Sequence, residues 1–478
     1  LVGTVSRLRR TGSALARSLA NAGVIEEPRL HATVDLAWPR IVTGFAIMSK
    51  RTVDLALVGI VIGPAAVAGL TLANAFWMVA KLLAIGLAGG TVSLVSQNYG
   101  GDDVDRAATV VRLSVLLAVA LGIPVAAIFG VAAEPLVGLL GEDPASIGYG
   151  ATYLAVVAPG LLFEYLNLIA SRTYAGVSDT VTPMAVRAGG AVANIALSAT
   201  FVLGFDMGVA GAALGTALAT GLVTVVFAWG MTGRNYVRGW GASPVPLTRS
   251  GAWADVDLLR QIAQVSTPLV ARRAAQGLAV FPLLAIAATF GPVAVAAIGV
   301  GRQVRSLLGS FSWGFSIAAS TLVGQELGAG AEGEAEAYGW GIVRLSAVVY
   351  VIAAAAVVAF GDPIAGIFVN DPANRDLSAQ FVRVAAASVV ALGIDGSITG
   401  ALRGAGDTRV PFLATLAGLY LVALPVAWLG TVVPTLGIGG LLLALLAETA
   451  VPMVVNLRRY RSNRWKAISR EYRPTAGD

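Results

Sequence analysis

The chain repeats itself at one fixed spacing. Gly63-Pro64 recurs as Gly291-Pro292, Gln97 as Gln325, and Gly176 with Asp179-Thr180 as Gly404 with Asp407-Thr408, every pair 228 positions apart. A constant offset over so long a stretch requires a duplication with few internal insertions or deletions. Each half must therefore lay down the same elements in the same order. Any fold for this chain has to accommodate two similar bodies.

Composition says what surrounds those bodies. Hydrophobic residues make up 56% of the 478 and charged residues only 13%, with a mean hydropathy of +0.78. Soluble domains carry roughly 25% charge, so the bilayer is the expected solvent. The 57 glycines suit membrane helices that pack closely. Apolar runs long enough to span fall at roughly 34–60, 66–97, 107–131, 148–175, 181–204 and 208–232. A second set falls at roughly 258–289, 293–326, 338–360, 378–403, 409–430 and 438–457. The expected fold class is an all-α integral membrane protein of twelve transmembrane helices in two pseudo-symmetric six-helix lobes. The expected domains are an N-terminal segment 1–33, a first lobe 34–232, a linker 233–257, a second lobe 258–457 and a basic tail 458–478. The linker is marked by Pro244, Pro246, Arg234, Arg238, Arg249, Asp255 and Asp257. Residues 1–30 hold Arg7, Arg9, Arg10, Arg17 and Arg29 around short apolar stretches, more like an interfacial amphipathic helix than a cleavable signal peptide.

Charge bias gives an expected orientation in the cell membrane. The tail carries Arg458, Arg459, Arg461, Arg464, Lys466, Arg470 and Arg473. The loops on the opposite side carry Glu134, Glu142, Asp143, Asp206, Asp362, Asp371 and Asp376, with Arg375 as their one cation. Both termini and the linker are expected on the cytoplasmic side. Six spans per half return the chain to its starting side, so the halves should be parallel repeats about an axis along the membrane normal, facing across a central cleft. That plan belongs to transporters.

Several chemistries are excluded or disfavoured. With no cysteine, thiolate and disulfide chemistry are absent. Residues 324–330, Gly-Gln-Glu-Leu-Gly-Ala-Gly, lack the Gly-Lys-Ser/Thr ending of a phosphate loop, and no strand precedes them, so no ATP site is expected. The net charge of +6 sits in loops and tails flanking apolar runs, which argues against nucleic acid. The one histidine, His31, stands at the start of the first helix, too early for a relay at mid-membrane. No enzymatic site, cofactor or certain metal site is expected.

Ionisable residues within spans are costly and mark function by default. The carboxylates are Asp54, Glu164, Asp395 and Glu448; cations include Lys50, Arg51, Lys81, Arg302 and Arg305. Lys50 and Arg51 lie within helical reach of Asp54. Asp54 is therefore either a responsive group or half of a fixed ion pair. Trp77 and Phe76, with Phe311 and Trp313 on the equivalent helix, are candidates to line the cleft, although aromatics at such positions more often serve packing or interface anchoring.

The ordered motifs carry a family resemblance. Val53-Asp54 with Val58-Gly59, Ser96-Gln97-Asn98-Tyr99-Gly100-Gly101, Gly208-Val209-Ala210-Gly211-Ala212-Ala213, residues 323–330 and residues 402–408 appear in sequence within a duplicated twelve-helix plan. The chain resembles the MATE family of multidrug and toxic-compound extrusion transporters over roughly residues 30–457. That resemblance implies export of amphipathic organic compounds in exchange for H⁺ or Na⁺, with no ATP. Asp54 matches the family's first-helix aspartate of an ion site, Asn194 its fifth-helix asparagine and Thr216 its sixth-helix threonine. Ser198 stands where many prokaryotic members place a second aspartate, which leaves Asp54 as the main coupling candidate and a Na⁺ ligand if Na⁺ is the ion. Glu164 and Asp395 are candidate gate or second-lobe positions. Lys50, Arg51, Lys81, Arg302 and Arg305 are cleft candidates. If most of them face the cleft, its field is positive, which favours the alternative of a lipid-linked oligosaccharide flippase of the same superfamily. A channel or receptor is disfavoured by the duplication. A monomer, a small organic substrate and the lipid bilayer complete the expected partners.

Overall fold

The structure is a computed structural model that describes residues 17–140, 143–237, 239–248, 255–368 and 372–472. Arg7, Arg9, Arg10, Glu142, Arg238, Arg249, Asp371 and Arg473 lie outside the described residues. The first repeat contributes α1 (Glu27–Val61), α2 (Pro64–Gly100), α3 (Val104–Val131), α4 (Pro144–Gly176), α5 (Val181–Gly204) and α6 (Gly208–Met231). The second contributes α7 (Val256–Ala288), α8 (Pro292–Gly328), α9 (Glu332–Ala359), α10 (Pro372–Gly404), α11 (Arg409–Val432) and α12 (Gly439–Arg461). A short amphipathic helix, α13 (Arg464–Tyr472), follows. Among the described residues the only β pairing is an isolated bridge, Val237 to Trp240.

Helix ends confirm the repeat. The starts at 64, 104, 144 and 181 reappear at 292, 332, 372 and 409; the ends at 100, 131 and 176 reappear at 328, 359 and 404. The offset reaches backbone conformation too. Gly63 and Gly291 hold φ of 116° and 94° in front of a proline at the first helical position. Only glycine reaches such angles cheaply, and proline is preset for a helix start. Two further turns keep their left-handed φ while the residue differs: Asp102 with Gly330, and Ser178 with Gly406.

Among the described residues eleven helices, α2 to α12, are long and apolar enough to cross a bilayer. The twelfth, α1, has 35 residues and is about 50 Å long, so length is no obstacle. Its polarity comes from Arg40, Lys50, Arg51 and Asp54, which points to this helix as the one carrying functional charge.

Contacts divide the chain into two compact units. One is Pro39–Val270; the other runs to Trp38 and resumes at Ala271. Both divisions fall inside helices, α1 and α7, so each unit contains the opening turns of the other repeat's first helix. In the unit built on the second repeat, Ile25, Leu30, Leu36 and Ala37 join the core of Phe315, Val323, Leu327 and Ile342. Arg29 pairs there with Glu334 at 2.9 Å. In the unit built on the first repeat, Gly86 and Gly90 leave room for Val270 and Ser266 of α7. Within each unit the second and fourth helices of the repeat pack most extensively, through small residues such as Gly404 on the Ser320 backbone. The charged tail is tied to the opening turns of α9 by Arg470 to Glu332 at 2.7 Å and Lys466 to Glu336 at 2.6 Å.

Candidate functional site

In the unit Pro39–Val270, three helices bring a small polar set together. Asp54 is buried on α1. Asn194 and Ser198 lie one turn apart on α5, both fully buried, just before that helix widens into a π turn at Thr200–Gly204. Such widened turns often accompany functional sites. Gly215 on α6 has no side chain to strike Ser198, so the helix approaches closely and presents Thr216. The hydroxyl of Thr216 donates to Asp54 Oδ2 at 3.2 Å and accepts from Asn194 Nδ2 at 2.9 Å. Asp54 Oδ1, Asn194 Oδ1 and Ser198 Oγ are buried, and none meets a partner in full hydrogen-bond geometry among the described residues, although the Ser198 hydroxyl stands close enough to the Asp54 carboxylate to act on it. Three under-satisfied oxygens in one apolar setting are costly. Hard oxygen donors of this kind suit a proton, a water or a small cation.

No lysine or arginine forms an ion pair with Asp54 among the described residues. Lys50 lies near enough to act on it electrostatically, but not within salt-bridge range, and Arg51 is exposed. The fixed pair considered from sequence is therefore not formed in this structure. Tyr153, which sequence reasoning missed, is buried beside Thr216 and Asp54; nothing in a lone tyrosine on an apolar helix would have flagged it.

The other carboxylates are firmly paired. Glu164 receives Lys81 Nζ at 2.6 Å and Arg187 Nη2 at 2.7 Å, with Arg40 and Lys50 close by. In the other unit, Asp395 accepts from Arg272 at 2.7 Å and from Asn456 at 2.7 Å, and Arg272 also donates to Thr415 at 2.8 Å. Glu448 accepts from Arg302 at 2.8 Å and from Arg305. Arg273 stacks over Trp313 at 5.7 Å, and Arg403 donates to Ser316 O at 2.9 Å. Arg40, Arg187, Arg272, Arg273 and Asn456 were not singled out from sequence, and Arg403 entered only as part of the motif at residues 402–408. Their signal was a cation or amide inside or beside an apolar run. Of the remaining aromatic candidates, Phe311 packs on a hydrophobic core, while Phe76 and Trp77 are half-buried. His31 is largely exposed at the start of α1 beside Glu27.

The two units differ at the key positions. The residues 228 positions beyond Asp54, Asn194, Ser198 and Thr216 are Pro282, Val422, Val426 and Ala444. None can ligate a cation or carry a proton through its side chain.

Known proteins agree with the duplicated plan. The MatE family model matches twice, over residues 39–200 and 268–429, 229 positions apart at each end and so within one residue of the 228 offset of the motifs. The chain is 24% identical over 426 residues to a probable multidrug resistance protein, YpnP, of Bacillus subtilis, covering 88% of this chain and 92% of that one. Its fold superposes on a MATE transporter solved in a bent conformation with a TM-score of 0.84, at 20% identity, over 93% and 97% of the two chains. It also superposes on a MOP superfamily transporter from Pyrococcus furiosus, described as having a binding pocket of reverse polarity that suggests a different function. There the TM-score is 0.81, at 20% identity, over 91% and 96%. With both repeats matched by one family model and the helices of both laid out alike, this chain belongs to the MATE family of multidrug transporters.

Proposed function

We propose that the protein is a secondary active antiporter that exports amphipathic organic compounds in exchange for H⁺ or Na⁺, with Asp54 as the group that holds the coupling ion. The observation that carries this reading is the buried Asp54 with no cation paired to it, in reach of Thr216 and grouped with the under-satisfied oxygens of Asn194 and Ser198. An ionised carboxylate in a low-dielectric setting is costly until water, a proton or a cation reaches it. Its energy therefore differs between a state open to the outside and one open to the inside. A ligand shifts such an equilibrium only by that kind of difference. Glu164, Asp395 and Glu448 are poorer carriers, because each already has two donors from cations or amides.

A second reading, flipping of a lipid-linked oligosaccharide, draws support from the cations within the spans and from the description of the Pyrococcus relative's pocket. The experiment that separates them is flux from proteoliposomes under pH and Na⁺ gradients imposed separately. Antiport requires one gradient to drive accumulation of a soluble organic compound. Movement of a lipid-linked sugar with indifference to both gradients would favour the flippase.

A further inference from the structure

We infer that the unit built on the second repeat carries a binding site for an anionic phospholipid. Arg344 and Arg461 hold the phosphate of the head group, and the acyl chains run along the outer faces of α9 and α12. The residues involved all belong to one compact unit, and the inference stands apart from the choice of cargo or coupling ion.

A cavity of roughly 400 Å³ opens at the end of α9 and α12 nearest the basic tail, lined by Trp340, Val343, Arg344, Ala347 and Arg461. Tyr460, in the last turn of α12, brings the two helices together there. Its hydroxyl donates to Glu336 O at 3.3 Å, and its ring meets Trp340 edge-on with centroids 5.3 Å apart. Arg461 lies over the same Trp340 ring at 5.8 Å, and Arg344 donates one N–H to Gly23 O at 3.0 Å. Both arginines are exposed. Neither forms an ion pair among the described residues, while the neighbouring acids are taken: Glu332 by Arg470, Glu334 by Arg29, Glu336 by Lys466 and Asp407 by Arg459. A guanidinium has five N–H donors, so two forks open on one cavity with most of their donors left for a ligand.

The place of Arg344 in the repeat says what covers it. Its counterpart 228 positions earlier is Leu116, 44% exposed on the spanning helix α3. An exposed leucine on a spanning helix suits contact with lipid chains. The second repeat puts an arginine there, and the counterpart of Arg461 is Gly233, so the basic pair is specific to this unit. A cation on a lipid-facing helix is costly unless it reaches the interface and meets an anion there. Apolar surface continues from both arginines. Val351, seven residues beyond Arg344 on the same face of α9, is 54% exposed; Val454, seven residues before Arg461 on α12, is 40% exposed. Seven residues are two turns, about 10 Å along the axis. Tyr460 meets α9 near its start, so the helices run antiparallel and both valines lie on the bilayer side of the arginines. A phospholipid fits this arrangement at every level. Arginine forks match phosphate oxygens, tryptophan settles at head-group level, and basic pockets between spanning helices take anionic head groups. Inorganic phosphate would use the arginines and leave the valines bare.

The test is lipid retention. The full chain is reconstituted in nanodiscs of phosphatidylcholine and phosphatidylglycerol in equal parts, released into mild detergent, and weighed with its bound lipids by native mass spectrometry. The unaltered protein should retain phosphatidylglycerol over phosphatidylcholine by about tenfold or more. Arg461→Gln, which breaks no hydrogen bond or ion pair, should lower that preference about fivefold, and Arg344→Gln likewise, matching about 1 kcal/mol for each cation near a membrane surface. Arg458→Gln combined with Arg464→Gln removes two exposed cations outside the cavity lining and should leave the preference nearly unchanged. Inorganic phosphate should not displace the lipid. Equal retention of the two lipids by the unaltered protein, as would follow if a polypeptide segment filled the cavity, would overturn the inference. So would an unchanged preference in Arg461→Gln, or an equal loss in the Arg458 and Arg464 variant, which would mean that net charge alone attracts the lipid. Displacement by inorganic phosphate would overturn the lipid assignment by showing that the chains contribute nothing. If Arg344→Gln melts early through loss of its bond to Gly23, Arg461→Gln decides the matter by itself.

Discussion

The two units share a backbone plan and divide the chemistry unequally. Helix ends and turn angles repeat at 228 positions, yet the buried charges do not. Asp54, Asn194 and Thr216 have Pro282, Val422 and Ala444 as their counterparts, while Arg302 and Arg305 have Asn74 and Trp77. Packing is set by small residues and turns, so the duplication retains it wherever helices must fit. Ionisable groups are held by single partners across helices and can be lost or gained one at a time. The unit Pro39–Val270 keeps a carboxylate without an ion pair; in the other, Asp395 and Glu448 are both locked by arginine.

The largest difference should appear when carboxylate partners are removed. Glu164→Ala leaves Lys81 and Arg187 without their anion, and Glu448→Ala does the same to Arg302 and Arg305. Stranding a buried charge costs about 3–5 kcal/mol. The loss should be greater for Glu164, because Arg187 is only 7% exposed whereas Arg302 reaches outward at 23%. Thermal melting and yield of the two purified variants decide this. Equal losses would mean that depth does not distinguish the clusters.

A smaller contrast lies in the paired glycines. A methyl at Gly404 would sit 2.6 Å from the Ser320 carbonyl oxygen, and one at Gly176 would sit 2.8 Å from a methyl of Val95. Backbone cannot move aside as a side chain can. Gly404→Ala should therefore destabilise by roughly 1–3 kcal/mol, and Gly176→Ala by less. Melting temperatures in the same detergent compare them; a milder effect at Gly404 would contradict the packing described.

Smaller still is the turn that follows. Ser178 adopts φ of 66° where its counterpart Gly406 adopts 81°. A left-handed conformation costs a non-glycine residue about 1–2 kcal/mol. Ser178→Gly should recover part of that cost and raise the melting temperature slightly. A fall would show that the serine side chain stabilises the turn by more than its backbone strain.

Much of the plan was legible in the sequence because the repeat is nearly free of insertions. The Gly-Pro starts at 63 and 291 mark helix boundaries that the structure reproduces. What could not be read is the division of the units within α1 and α7. Nothing in a continuous helix says that Leu36 and Ala37 bury against one set of helices and the residues after Trp38 against another. The grouping of Asp54, Asn194 and Thr216 was legible through family motifs, with sequence separations of 162 and 22 between the bonded residues. The partners of the other carboxylates were not. Glu448 and Arg302 are 146 residues apart, and Asp395 and Arg272 are 123 apart; pairing at that distance is a product of packing, not of local pattern. Ser198 reads as a departure from the family pattern in sequence. In the structure it is one of the under-satisfied oxygens around Asp54.

The claim that coupling resides in the unit Pro39–Val270 is tested most directly by ion-driven flux of Asp54→Asn beside Glu448→Gln in proteoliposomes, with pH and Na⁺ gradients applied in turn. Asp54→Asn keeps the shape and a hydrogen-bonding oxygen but cannot exchange a proton or neutralise Na⁺. It should insert and melt like the unaltered protein while its flux ignores both gradients; Glu448→Gln should still respond. Gradient-driven flux that survives in Asp54→Asn, or is lost only in Glu448→Gln, would contradict that assignment.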